Sequence, residues 1–214
     1  MSDADQTTST ESAAPPVRKR PKPGERRIQI LQALASMLEQ PGAERITTAA
    51  LAAKLEVSEA ALYRHFASKA QMFEGLIEFI EQAVFTLVNQ IAEREAGATD
   101  PSAGTRHAGK VVTMLLQFAE KNPGMVRVMV GDALVYENER LQQRMNQFFD
   151  KIEATLKQCL RDGAAGSVTP TADVQVQASV LTAFVVGRLQ RFARSGFRRA
   201  PTEHLDASLG QMLR

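Results

Sequence analysis

Crosslinks are the first thing this chain lacks: Cys159 is the lone cysteine among 214 residues, so no intramolecular disulfide can staple the fold. Tryptophan is absent and aromatics make up only 6% of the residues. That scarcity argues against a sandwich or barrel, which leans on aromatic and β-branched strands. No apolar run is long enough to span a membrane and no signal-peptide pattern opens the chain, so the expectation is a protein without a membrane segment, kept in a reducing cytoplasm. The three histidines, His65, His107 and His204, are scattered, with no Ser-His-Asp or Cys-His pairing and no glycine-rich phosphate loop. An enzyme, a metal centre and a bound cofactor are therefore not expected. Cys159 shares an apolar face with Leu156 and Leu160 and reads as core. Glu74, Glu78 and Glu81 lie at helical spacing without partner histidines and read as a solvated face.

What is plentiful is Ala, Leu, Glu, Gln, Arg and Met, a usage that favours packed helices, so the expected class is all-α. The net charge of +2 conceals an asymmetry. Residues 1–17 carry three acids and no base, residues 18–70 carry ten Lys or Arg against five Asp or Glu, and residues 71–214 carry sixteen of each sign. A basic front third is the electrostatic footprint of a phosphate-binding surface, and a solubilising surface has the same composition.

Three segments follow. Residues 1–24 are rich in Ser, Thr, Ala and Pro without apolar periodicity and read as a disordered basic arm carrying Arg18, Lys19, Arg20 and Lys22. Residues 25–70 read as three short helices. Ile28, Leu31, Ala35 and Leu38 share one face before Pro41-Gly42, Thr47 or Thr48 caps a second helix through Leu55, and Ser58 caps a third through His65. Two short helices joined by a tight turn, with Leu51, Val57, Leu62 and Phe66 as common core, form a helix-turn-helix. Residues 71–214 read as long amphipathic helices forming a helical dimerisation domain, to which the resemblance given below adds partner binding. Ser68 opens the first of them through a Ser-x-x-Gln capping box, with Phe73, Leu76, Ile80, Val84, Leu87 and Ile91 on one stripe. Val111, Val112, Leu115, Leu116 and Phe118 mark the next, ended by Asn122-Pro123-Gly124, and a short helix follows. Leu141, Met145, Phe148, Ile152, Leu156 and Cys159 mark another, ended by Gly163. From Thr171 to Ser195 apolar residues cover most of the circumference, so one side of that helix suits a second copy of the chain, with Gly187 permitting close approach.

A recognition helix offers its N-terminal residues to base edges, which makes Ser58, Glu59, Ala60 and Ala61 the groove-facing candidates. Alanines donate no hydrogen bond but can meet a thymine methyl, so base reading should be sparse. Tyr63, Arg64, His65 and Lys69, with the hydroxyls of Thr47 and Thr48, carry donors suited to phosphates.

The run VSEAALYRHFASK, Val57 to Lys69, resembles the Val-Ser-x-x-x-Leu-Tyr-x-His-Phe-x-Ser-Lys signature of TetR-family regulators. That resemblance implies backbone-phosphate contacts by Tyr63, His65 and Lys69, palindromic double-stranded DNA as ligand, and a homodimer with scope for higher-order assembly on DNA. The family often has Gly where Glu56 stands, and a left-handed residue there strains a side chain. A narrower likeness covers most of the chain. RITTAALAAKLEVSEAALYRHFASKAQMF from Arg45, LIEFIE from Leu76, EKNP from Glu120 and ERLQQRMNQFF from Glu139 are similar to a TetR-fold branch of nucleoid occlusion factors, which act on the division protein FtsZ. By that resemblance the FtsZ C-terminal tail docks between the fourth and fifth helices, at or near Phe79, Met114, Lys121 and Asn122. The branch carries a basic residue where Leu87 stands and Gly where Gln117 stands. From periodicity alone the core reading of Phe79 and Met114 is the favoured one, and only the resemblance reverses it.

Two other classes remain open on the sequence. A conventional TetR repressor would bind a small ligand in a C-terminal pocket, to which Met114, Phe118, Met125 and Met129 could contribute. A scaffold that does not bind DNA fits the long helices but not the signature or the basic front segment.

Overall fold

The computed structural model describes residues 24–40, 46–97, 100, 102–163 and 171–213. The basic arm up to residue 23 and the Pro41-Gly42 break lie outside them. The described residues form helices, with no strand among them. They are α1 (Glu25–Leu38), α2 (Thr48–Lys54), α3 (Glu59–Tyr63), α4 (Lys69–Glu95), α5 (Ala103–Lys121), α6 (Pro123–Met129), a 3-10 turn (Asp132–Leu134), α7 (Glu139–Gly163), α8 (Thr171–Arg194) and α9 (Leu205–Met212).

The front unit is α1 to α3. Helix α1 buries Ile30, Leu31, Leu34 and Leu38, while Ile28, expected on the inner face, is 50% exposed. Leu31, Ala35 and Leu38 lie inside as expected, and the buried face widens to take in Ile30, Ala33 and Leu34 in place of Ile28. Leu51, Leu62 and Phe66 are almost fully buried and Val57 packs against them, as the shared core requires. Helix α3 stops at Tyr63, two residues short of His65, because the N–H groups of His65 and Phe66 both turn back onto the Leu62 carbonyl. Arg27 closes this unit from α1: its guanidinium lies 4.2 Å from the Phe66 ring centroid and donates to the His65 carbonyl at 3.2 Å.

Behind it, α4, α5, α7 and α8 pack around Val84, Val111, Val112, Leu115, Leu116, Phe148, Ile152, Leu156, Leu181, Val185 and Leu189, all sealed from solvent. The α4 stripe is broader than the spacing predicted. Ile77 and Val88 are buried as well, whereas Leu87 and Ile91 sit at its edge. Cys159 is 4% exposed and burial pushes its thiol up to about 11, which makes it a packed hydrophobe. Glu81 is more than a solvated acid: Arg144 of α7 donates to its carboxylate at 2.7 Å and to the Glu74 carbonyl at 3.5 Å, tying α7 to the first half of α4.

The two units meet through α1, which packs on both α6 and α4. Gly124 lies so close to α1 that a Cβ there would come within 1.9 Å of the Ala35 carbonyl oxygen, so only glycine permits this backbone-to-backbone approach. Pro123 starts α6 at a position where its missing N–H costs no hydrogen bond.

Candidate nucleic-acid interface and partner cleft

Local capping sets the front surface. Thr47 Oγ1 accepts the Ala50 N–H at 3.1 Å and Ser58 Oγ accepts the Ala61 N–H at 3.3 Å, so each short helix starts where its hydroxyl residue stands. Between them the chain closes α2 with a Schellman turn. The Val57 N–H bonds the Ala52 carbonyl at 3.0 Å, the Glu56 N–H bonds that of Ala53 at 3.1 Å, and Glu56 takes φ +53. The left-handed residue expected in this turn is thus present on a side chain that the conformation does not favour.

Ser58, Glu59 and Ala60 are exposed on the first turn of α3. Ala61 is half-buried beside a cleft of about 260 Å³ that it shares with Arg26, Arg64 and His65. Glu59 is not a free carboxylate, since Thr48 donates its hydroxyl to Oε2 at 2.6 Å. That bond orients the acid and uses the Thr48 proton that the sequence had offered to phosphate. Among the described residues Thr47 Oγ1 only accepts, from Ala50, which leaves its own proton for a phosphate. Tyr63, Arg64 and His65 are exposed. Lys69, at the first turn of α4, is ion-paired with Glu137 and lies 5.7 Å from the Phe73 ring centroid. Ser68 caps α4 by accepting the Gln71 N–H at 3.2 Å, while Gln71 Oε1 reaches one residue beyond the usual box to the Ala67 N–H at 2.9 Å.

The residues expected to meet a partner separate into two clefts along α4. Phe79 is 42% exposed, not core, and with Ile28, Leu31, Gln32, Leu76, Asn122 and Met125 it lines an apolar cleft of about 210 Å³. Met114 is partly buried in a second cleft of about 380 Å³ between α4 and α5, with Leu87, Ile91, Arg94, Lys110 and Gln117. Asn122 also closes α5, donating Nδ2–H to the Phe118 carbonyl at 2.7 Å. Lys121 is exposed beside it on the last turn. At the far end Glu95 accepts from Lys110 and from Arg106, the latter at 3.3 Å, and these cations hold its carboxyl below the usual range. The four side chains offered for a small-ligand pocket diverge: Met129 is core, Met114 and Met125 open to the two different clefts, and Phe118 packs on the core.

Family models match both units. Residues 30–76 match the model described as bacterial regulatory proteins, tetR family, and residues 105–213 match that described as Tetracyclin repressor-like, C-terminal domain. The nucleoid occlusion factor SlmA of Idiomarina loihiensis is 50% identical over 183 residues, covering 85% of this chain and 90% of that protein. SlmA of Aliivibrio fischeri is 49% identical over 189 residues, covering 87% and 93%. The chain belongs to the SlmA branch of the TetR family. Solved structures show the same fold at low identity. The fatty acid degradation regulator FadR of Bacillus halodurans superposes with a TM-score of 0.71 at 16% identity, over 92% of this chain and 97% of that one. FadR of Bacillus subtilis, solved with stearoyl-CoA, superposes at 0.69 and 13%, over 87% and 97%.

Leu87 and Gln117, the two positions at which the resemblance is expected to lapse, both line the Met114 cleft and do not line the Phe79 cleft. Two features of this SlmA-type chain escaped the sequence reading. Helix α9 follows His204, which adopts φ +54, and buries Leu205 and Leu209; their spacing was the available signal. The other is the set of acids, Glu59 and Glu137, that engage residues assigned to phosphate.

Proposed function

We propose that this chain sits on palindromic chromosomal sites as a homodimer and there captures the C-terminal tail of FtsZ, preventing Z-ring assembly over the nucleoid. Membership of the SlmA branch makes it a DNA-binding nucleoid occlusion factor, and a DNA-binding regulator of this kind is not an enzyme. Among the described residues no helix is long and apolar enough to cross a membrane. The finer reading assigns residues 1–24 to a basic arm, 25–70 to DNA binding and 71–214 to dimerisation and partner binding, with the protein cytoplasmic and nucleoid-associated.

The observation that carries the partner assignment is Phe79, a large apolar side chain held in the open over an apolar cleft on a helix whose other face is core. An exposed aromatic beside a concave apolar surface is the arrangement of an interface anchor. Eight residues of helix, about 12 Å at 1.5 Å per residue, separate the level of Phe79 from that of Leu87 in the second cleft. An extended peptide covers that distance with about four residues, so one tail segment can reach both clefts, with Lys121 available to its acidic side chains.

On the DNA side, Ser58, Glu59, Ala60 and Ala61 face the major groove, and Thr47, Tyr63, Arg64, His65 and Lys69 hold the backbone. Thr48 acts through Glu59, holding that carboxylate where it can accept from a cytosine amino group. Dimerisation is supported by α8, where Val176 is 62% and Val180 49% exposed and a Cβ on Gly187 would meet nothing within 4 Å. Sedimentation of the full chain with a duplex selected from random sequence tests the arrangement. Two chains bound per palindrome is the expected result, and one chain bound regardless of palindromy would contradict it.

A further inference from the structure

Among the described residues, Lys69 is the one phosphate donor of the front surface that an acid of the rear domain already holds. Its partner, Glu137, lies in the short connection between the 3-10 turn and α7, and the Glu137 N–H bonds the Leu134 carbonyl at 3.0 Å, which fixes the backbone beneath the carboxylate. The Glu137 side chain is only 11% exposed and that of Lys69 29%. Ser68 fixes the lysine from the other side by capping α4. This is a half-buried pair between two pinned backbones, not a loose surface contact.

We infer that Glu137 is an internal counter-ion that competes with the DNA backbone for Lys69, so that the rear domain sets how tightly the front domain binds DNA. The inference rests on the reading of Lys69 as a phosphate donor. An ammonium has three protons, and a phosphate can share it with Glu137 only by coming within a few ångströms of a carboxylate. Either the pair opens, leaving a poorly hydrated carboxylate behind, or it stays and two anions repel each other. Both routes weaken the complex relative to a chain with a free Lys69. Any displacement of the connection at residues 132–138 changes the competition, which links the state of the rear domain to affinity for DNA.

The test is a double-mutant cycle on the full chain: Glu137→Gln, Lys69→Gln, both together, and Glu139→Gln as a control acid from the same region. Circular dichroism verifies that each variant is folded. The probes are a labelled duplex selected with the unmodified protein and a labelled duplex of random sequence, titrated across a range of salt. Glu137→Gln should tighten binding to both by roughly two- to tenfold, the range of a partly screened ion pair, and Glu139→Gln should leave it unchanged. In the Lys69→Gln background Glu137→Gln should have no effect, because the coupling is then gone. If Lys69→Gln weakens binding while Glu137→Gln does nothing, or if Glu137→Gln tightens binding equally without Lys69, the competition is refuted. If Lys69→Gln itself changes nothing, the phosphate assignment fails and the inference falls with it.

Discussion

At the scale of single residues, the proposed DNA surface divides by chemistry. Lys69, Tyr63, Arg64 and His65 offer donors without base information, whereas Ser58, Glu59, Ala60 and Ala61 are small or acidic groups on the first turn of α3. Lys69→Gln is therefore expected to weaken binding to selected and random duplexes alike and to reduce the salt slope by about one phosphate contact. Replacing Ser58 or Ala61 should instead change which sequences are preferred, by about 1–3 kcal/mol at one base pair. Selection from random sequence measures the second effect, and equal losses on every duplex for all variants would refute the division. The capping residues Thr47, Ser58 and Ser68 were legible because a cap depends on neighbours three residues away. The Thr48–Glu59 and Lys69–Glu137 pairings were not, since a sequence shows a donor but not the acceptor that folding brings to it.

At the scale of elements, the joint between the two units depends on one glycine. Because a Cβ on Gly124 would overlap the Ala35 carbonyl, Gly124→Ala must push α6 away from α1, at a cost of about 1–3 kcal/mol as for other overpacked contacts. Gly210→Ala is the matching control. A Cβ there meets nothing within 4 Å inside α9, so the change should be neutral or stabilise by up to about 1 kcal/mol through helix propensity. Denaturant midpoints compare the two, and equal effects would show that the α1–α6 approach is not restrictive. Helical periodicity located α4 and α7 because their buried stripes run for many turns. It missed α9, a single short helix, and it put Ile28 on the wrong side of α1, where the exposed isoleucine instead borders the Phe79 cleft.

At the scale of the whole molecule, one fold has to hold two copies together, read DNA at one end and present a cleft on its flank. With the exposed valines of α8 as the proposed pairing surface, Val180→Asp should yield monomers in sedimentation and, with one half-site engaged at a time, markedly weaker binding to a palindrome. The cleft was hidden from sequence patterning for a physical reason. Phe79 follows the core residue Leu76 at a helical three-residue spacing, and only its 42% exposure in the folded chain sets the proposed anchor apart from a core side chain. The most direct measurement is fluorescence anisotropy of a labelled FtsZ C-terminal tail peptide with the full-length protein, free and on its palindromic duplex, alongside Phe79→Ala. Saturable binding, strongest on DNA and weakened by about 2 kcal/mol or more without the ring, is the predicted result. Absence of binding in both states, or binding indifferent to Phe79, would contradict it.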